Sequence, residues 1–158
     1  MRVLITGSSG QIGTNLGLRL LREGHLVFGV DRRPNPWTDE ITTLLQDISV
    51  PYRNFAGGIG EAEYPENLDV VVHLAAHAKV HELVKRPALA LENITMTHNV
   101  LEFCRQNEAP VVFSSSREVY GSRQKAGIIG RQRLEGAEQG AGRRAAVFVE
   151  PVRFVAAH

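Results

Sequence analysis

The sequence has almost none of what a disulfide-built, membrane-spanning or strongly charged protein requires. It carries one cysteine, Cys104, so no internal disulfide can form, and the cytoplasm is the expected compartment. Cys104 stands near Leu101 and Phe103 in a helical pattern, the setting of a buried structural thiol. No apolar run approaches the ~20 residues that span a bilayer. The first strand begins directly after Met1, which leaves no room for a signal peptide. A dominant charge is lacking too. The 18 Lys and Arg against 17 Asp and Glu leave a net charge of +1, so nucleic acid and anionic membrane are not expected partners. What remains is an ordinary globular composition over 158 residues. A chain of that length buries about 70% of its unfolded surface, and a single domain, residues 1–158, is expected.

The opening stretch organises the rest. Val3-Leu4-Ile5 is a short apolar run of strand length. Gly7, Gly10 and Gly13 follow in a G-x-x-G-x-x-G turn, and Ile12, Leu16, Leu20 and Leu21 then recur at helical spacing. The pattern predicts a helix from about Ile12 to Glu23, stopped by Gly24. In a strand–turn–helix unit, glycine lets a ligand approach the backbone. The helix start offers free amides and a positive dipole end. Gly7, Gly10, Gln11, Ile12 and Gly13 are therefore read as a cradle for a dinucleotide pyrophosphate. Leu26 to Val30 predicts a second strand ending at Asp31. An acid ~20 residues beyond such a turn is placed to bind the adenosine ribose hydroxyls. Its carboxylate repels a 2′-phosphate and so favours NAD over NADP. Arg32 and Arg33 pull the other way, because guanidinium pairs well with phosphate.

Further along, Thr38 is read as the cap of a short helix reaching about Gln46. Pro51 to Phe55 is read as a weak third strand, Ala56 to Gly60 as a loop near the adenine side, and Tyr64 to Asn67 as a turn. Leu68 to Leu74 is the strongest strand, with a β-branched run typical of a parallel strand covered on both faces. Ala75 and Ala76 are small enough for a ligand to lie against the strand end. His73, His77 and His81 are spaced four apart, but His73 lies in a strand, so they share no helical face and no metal is expected. A long helix is predicted after Pro87, with apolar positions Leu89, Leu91, Ile94, Val100, Leu101 and Phe103. Asn93 among them needs a partner if buried. Pro110 to Phe113 predicts another strand. It ends in Ser114, Ser115 and Ser116, which form either a turn or cap, or hydroxyls at the carboxyl edge where open α/β sheets bind ligands. The expected fold is α/β, a Rossmann-like doubly wound parallel sheet in three layers.

These pieces together carry a resemblance. Gly7-x-x-Gly10-x-x-Gly13, Asp31, Asp69-Val-Val-Val-His73-Leu-Ala-Ala76, Glu92-Asn93 and Ser114-Ser-Ser-Arg-Glu-Val-Tyr-Gly121 stand in one order. From Met1 to about Gly121 the chain resembles extended short-chain dehydrogenases/reductases of the NAD-dependent epimerase/dehydratase family, which act mostly on nucleotide sugars. The resemblance implies NAD as cofactor, with Gly7, Gly10, Ile12 and Gly13 at its pyrophosphate and Asp31 at its ribose. It places Leu74, Ala75 and Ala76 along the cofactor. Ser116 falls at the family's catalytic hydroxyl, which binds the substrate group being oxidised. A homodimer through the long helices after the fourth and fifth strands is also implied.

The departures from the family pattern bear on activity. The family's base is the tyrosine of a Tyr-x-x-x-Lys pair, whose lysine lowers the phenol pKa. The sequence contains no such pair, and Tyr120 is followed at the fourth position by Gln124. In the segment that resembles the pair's surroundings, Ile129 and Arg133 stand at the two positions, and isoleucine cannot transfer a proton. Residues 122–158 form an atypical, shortened tail rich in Gly, Ala, Gln and Arg, without the family's C-terminal substrate domain. An internal deletion, a shifted reading frame and a truncated chain all fit that tail. The expectation is a protein that binds NAD with impaired hydride transfer at a sugar carbon. The alternative is a non-catalytic dinucleotide-binding module or fragment.

Overall fold

A computed structural model describes residues 1–50 and 65–115. Its strands are β1 (Arg2–Thr6), β2 (Leu26–Asp31), β3 (Thr42–Leu45), β4 (Val70–His73) and β5 (Val111–Phe113). They form one sheet in the order β3-β2-β1-β4-β5, and every ladder is parallel. The helices are α1 (Gln11–Arg22), α2 (Val80–Lys85) and α3 (Ala88–Gln106). Strand order reverses direction at β1. The chain first steps outward to β2 and β3, then crosses back to β4 and β5.

Alternation along the strands sends side chains to both faces, so each central strand needs cover on both sides. Leu4, Val30 and Val71 pack on the face where α3 lays Met96, Val100, Phe103 and Cys104. Val3, Ile5, Val27 and Ile41 pack on the opposite face, against Leu16, Leu20 and Leu21 of α1. One helix on each face of a parallel sheet is the expected doubly wound arrangement. Cys104 is buried, as its setting predicts, and burial pushes its thiol up to about 11.

The helix ends follow the sequence signals. α1 closes with Gly24 at φ +81. Gly24 N donates to Leu21 O at 3.0 Å and His25 N to Leu20 O at 3.0 Å, the paired bonds of a Schellman end. α3 begins one residue after Pro87, where the missing N–H costs nothing. Its buried stripe is Met96, Asn99, Val100, Phe103 and Cys104. Leu91, Ile94 and Leu101, expected among its apolar positions, are exposed at 64%, 66% and 46%.

The helix expected from Thr38 to Gln46 does not form. The Thr38 hydroxyl accepts a bond from Glu40 N at 3.1 Å, a local turn that competes with helix start. Thr42 to Leu45 then pairs in parallel with Phe28 to Asp31. β2 offers an open ladder edge, and Ile41 is buried against the α1 face just before it. The strand expected at 51–55, the glycine cluster at 56–60 and residue 64 of the expected turn lie outside the described residues. Among the described residues, no helix is long and apolar enough to cross a membrane.

Ile5 is fully buried at the centre of the sheet. Ile5→Ala is expected to cost about 2–5 kcal/mol and Ile5→Val about 0.5–1.5 kcal/mol. Urea denaturation checks this, with midpoints that shift and slopes that do not.

Candidate functional site

The carboxyl ends of β1 and β4 part where the strand order reverses, and a groove of about 140 Å³ opens there. Such a crevice is where open α/β sheets bind ligands. Gly7 and Gly10 form its floor, Val30 to Arg33 one side, and Leu74 to His77 with Glu92 and Met96 the other. Gln46, Asp47 and Ile48, just past β3, close one end.

The turn at the floor is set by close contact. Gly7 has φ +73, and a Cβ there would lie 2.8 Å from Ala75 N and 2.9 Å from the Leu74 carbonyl carbon. A Cβ at Gly13 would lie 2.3 Å from Gly7 O. Backbone lies on the other side in both cases, so no side chain can move aside. The amides of Gly7 and Gly10 are already spent, donating to Val30 O at 2.8 Å and Gly7 O at 3.0 Å. Both glycines thus supply shape. The amides of Gln11, Ile12 and Gly13, in the first turn of α1, have no acceptor within the helix by position. No acidic side chain occupies that turn, so it keeps its attraction for an anion. Gln11 and Ile12 have exposed side chains outside the groove lining, while Gly13 is buried beneath the turn.

Asp31 ties this turn to the loop after β2. One carboxylate oxygen accepts from Ser9 N at 3.1 Å and the other from Arg33 N at 3.0 Å. A carboxylate offers about four lone-pair sites, so each oxygen can accept once more from a diol. Asn35 fastens the same loop from outside, donating to Thr14 Oγ1 at 2.9 Å and Ser8 O at 3.3 Å. Ser9 Oγ donates to Arg33 O at 2.8 Å.

The opposite side is built on histidines. His77 N donates to Asn93 Oδ1 at 2.7 Å and Asn93 Nδ2 donates back to His77 O at 3.1 Å. This is the partner that Asn93 needs. His77 Nε2 lies 2.8 Å from Glu92 Oε2. His73, in β4, is buried with Thr6 Oγ1 2.7 Å from its Nδ1. His81 is exposed on α2, 3.9 Å from Glu82. The three histidines therefore occupy separate environments.

Of the residues proposed from sequence for a cofactor, Gly7, Gly10, Asp31, Arg32, Leu74, Ala75 and Ala76 line one groove. Ser116, Ile129 and Arg133 lie outside the described residues. Sequence reasoning missed Gln46, Asp47 and Ile48, because they follow a strand taken for a helix. It also missed His77 and Glu92 as lining. Partial burial alone would raise the Asp47 carboxyl. Hydrogen bonds from Ser49, helped by the charges of Arg32 and His77, hold it below the usual range instead. The groove end near β3 is therefore an anionic acceptor.

A family model for the NAD dependent epimerase/dehydratase family matches residues 3–139. Protein CapI of Staphylococcus aureus is 33% identical over 135 residues, covering 77% of this chain and 40% of its own length. UDP-glucose 4-epimerase of Caenorhabditis elegans is 33% identical over 137 residues, covering 77% of this chain and 39% of its own. The solved structure of MoeE5 in complex with UDP-glucose and NAD superposes with a TM-score of 0.65 at 31% identity. That match covers 78% of this chain and 39% of MoeE5. The chain thus spans about two fifths of the length of these relatives, at 40%, 39% and 39%.

Burial lowers the His73 pKa from 6.5 to about 4. The unfolded chain therefore binds the extra proton first, and stability rises with pH across that window. It is fully present above 6.5 and falls as pH drops toward 4, by about 1.4 kcal/mol per unit and about 3 kcal/mol in all. Urea denaturation stepped across this range, with His73→Asn beside wild type, checks it. The variant is expected to show the shallower pH slope.

Proposed function

The chain belongs to the NAD-dependent epimerase/dehydratase family, and from that premise we propose that it binds NAD in the groove between β1 and β4. The observation that carries this reading is the pairing of a side-chain-free floor with a carboxylate at its rim. Gly7 and Gly13 let backbone pack where any Cβ would collide with it, which shapes the turn under the groove, and Asp31 stands at the end of β2 with acceptor capacity to spare. The residues fit the cofactor. The amides of Gln11, Ile12 and Gly13 would hold the pyrophosphate, with Gly7 and Gly10 shaping the turn. Asp31 would take the adenosine ribose hydroxyls. Leu74, Ala75 and Ala76 would line the path of the chain beyond the phosphates. NAD rather than NADP is favoured because Asp31 repels a 2′-phosphate, with Arg32 and Arg33 as the opposing feature.

The substrate class proposed is a nucleotide sugar, the class to which the UDP-glucose of the matched MoeE5 complex belongs. When bound, NAD supplies a hydride acceptor. Ser116 would hold the reacting hydroxyl, and a base must remove its proton. On the family pattern that base is a tyrosine, where this sequence has Ile129, and its lysine partner is Arg133. We therefore read hydride transfer at the sugar carbon as impaired. The second reading is a dinucleotide-binding module without turnover, favoured by that same pair of residues. A homodimer through the long helices belongs to the same proposal, supported by the exposed Leu91, Ile94 and Leu101 of α3.

Calorimetric titration tests the binding. NAD is expected to bind more tightly than NADP. Gly7→Val should abolish binding, because its Cβ would meet the Ala75 backbone. Asp31→Asn should weaken NAD by about tenfold or more, the scale of hydrogen bonds to a charged group. Unchanged affinity in Gly7→Val would sink the assignment. A panel of nucleotide sugars, followed by nicotinamide absorbance, should give little or no turnover. Brisk NAD-dependent turnover overturns the impaired reading.

A further inference from the structure

Three side chains lie beneath the groove wall, and none of them lines it. Thr6 ends β1, His73 ends β4 and Thr97 faces them from α3. Thr6 Oγ1 accepts from Leu74 N at 3.3 Å and from Ala75 N at 3.3 Å. A hydroxyl has two acceptor sites and one hydrogen. Ala75 N takes one site, and Leu74 N, shared with Thr6 O at 3.1 Å, turns toward the other, so the hydroxyl hydrogen is directed to the nearest remaining acceptor, His73 Nδ1 at 2.7 Å. That nitrogen must then be bare. From the other end, Thr97 donates its hydrogen to Asn93 O at 2.9 Å. It can then only accept from His73 Nε2, which lies 3.4 Å from its oxygen. Both ends require the same tautomer, with the proton on Nε2.

We propose that His73 is a positioning residue fixed in the Nε2–H tautomer, whose relay Thr6→His73→Thr97→Asn93 clamps the Leu74–His77 wall to the glycine turn. This rests on the reading of that groove as the NAD site. The relay runs from the residue before Gly7, through the imidazole, into α3. It returns through the paired bonds between Asn93 and the His77 backbone. The segment from Leu74 to His77 is thereby held at both ends. Its near end is also where a Cβ on Gly7 would touch Ala75, so any slip of the wall changes the groove floor. Phe113 of β5 stacks on the ring at 5.7 Å and fixes its plane. Burial keeps the imidazole neutral, as a one-proton relay requires.

The tautomer is read directly by two-dimensional nitrogen–proton spectra of the uniformly nitrogen-15-labelled full chain, without NAD. The His73 ring signals are identified by their loss in His73→Asn. Nδ1 is expected in the unprotonated range and Nε2 in the protonated range. The reverse assignment, or an averaged pair of signals, overturns the proposal. This arm uses wild-type ring signals, so the stability of the variants does not decide it. The second arm measures NAD affinity. The Asn Oδ1 can take the place of Nδ1 and accept from Thr6. A Gln amide reaches toward Thr97 and leaves Thr6 without its acceptor. His73→Gln is therefore expected to lose more affinity than His73→Asn, by about tenfold, the scale of one hydrogen bond. Thr6→Ser should bind nearly as wild type and Thr6→Val about tenfold or more weakly. Equal losses in the two His73 variants, or a tight-binding Thr6→Val, would show a space-filling role and overturn the proposal. If wild type binds no NAD, the functional reading fails, while the tautomer spectrum still decides the relay.

Discussion

The site depends on how closely the end of β1 lies against the end of β4. At Gly7 the two backbones come within the space of one Cβ, at 2.8 Å from Ala75 N. That approach puts the Thr6 hydroxyl within reach of two amides and an imidazole of the neighbouring strand. It lets the turn leave the sheet at φ +73 and start α1 directly above it. Gly13 repeats the constraint one helical turn later, packed on the carbonyl of Gly7. The first turn of α1 is consequently pressed against the turn that leaves β1. A single steric fact thus sets the shape of the crevice floor.

Much of the fold is legible because the central strands are buried on both faces, and two-sided burial writes a continuous apolar run. β1, β2 and β4 carry such runs, β5 at the other edge of the described sheet is still readable from Val111-Val112-Phe113, and α1 and α3 are bounded by Gly24 and Pro87. β3 is illegible for a physical reason. It is an edge strand with Thr42 and Leu45 exposed, so its sequence carries no two-sided signal. Its ladder exists because β2 presents an open edge, a fact about a segment some dozen residues away. Losing β3 also hid Gln46, Asp47 and Ile48, which reach the groove only as the continuation of that strand. α3 misleads in another way. Leu91, Ile94 and Leu101 have helical spacing but face outward, whereas the buried stripe includes a polar residue. Asn99 is 5% exposed and donates to Ile48 O at 2.9 Å and Val50 O at 2.6 Å. A buried amide is acceptable there because it is satisfied, and its acceptors belong to a distant loop.

The candidate site divides along the same line. Its backbone part was readable, since glycines mark places where side chains cannot stand. Its side-chain part was readable only where one residue does a recognisable job at a known offset, as Asp31 does. The structure adds that Asp31 has a second task. It bridges Ser9 and Arg33, so the acid proposed for the ribose also holds the loop that presents it. The clasp of Asn35 on Thr14 and Ser8 works on the same loop and has no local sequence signature. Sites of this kind are specified by networks, and a network is invisible until the fold brings its members together.

Binding and chemistry make different demands on such a site. A glycine turn, a helix start and a ribose carboxylate grip a dinucleotide in the same way before and during reaction. Uniform binding of that kind lowers the concentration of cofactor needed and adds nothing to the rate of the chemical step. Rate comes from a group that takes the hydroxyl proton as the hydride leaves, with a pKa suited to the task. In the proposed reading, Arg133 keeps a positive charge near the place of the lysine, and a guanidinium holds that charge at any physiological pH. A cation there lowers the pKa of a neighbouring phenol, and Ile129 offers none to act on. The charge can steady a cofactor, yet the proton has no acceptor among the residues the family pattern assigns to it. The features that would make the groove an NAD site and those that would make it a catalyst are therefore separable in the proposed reading.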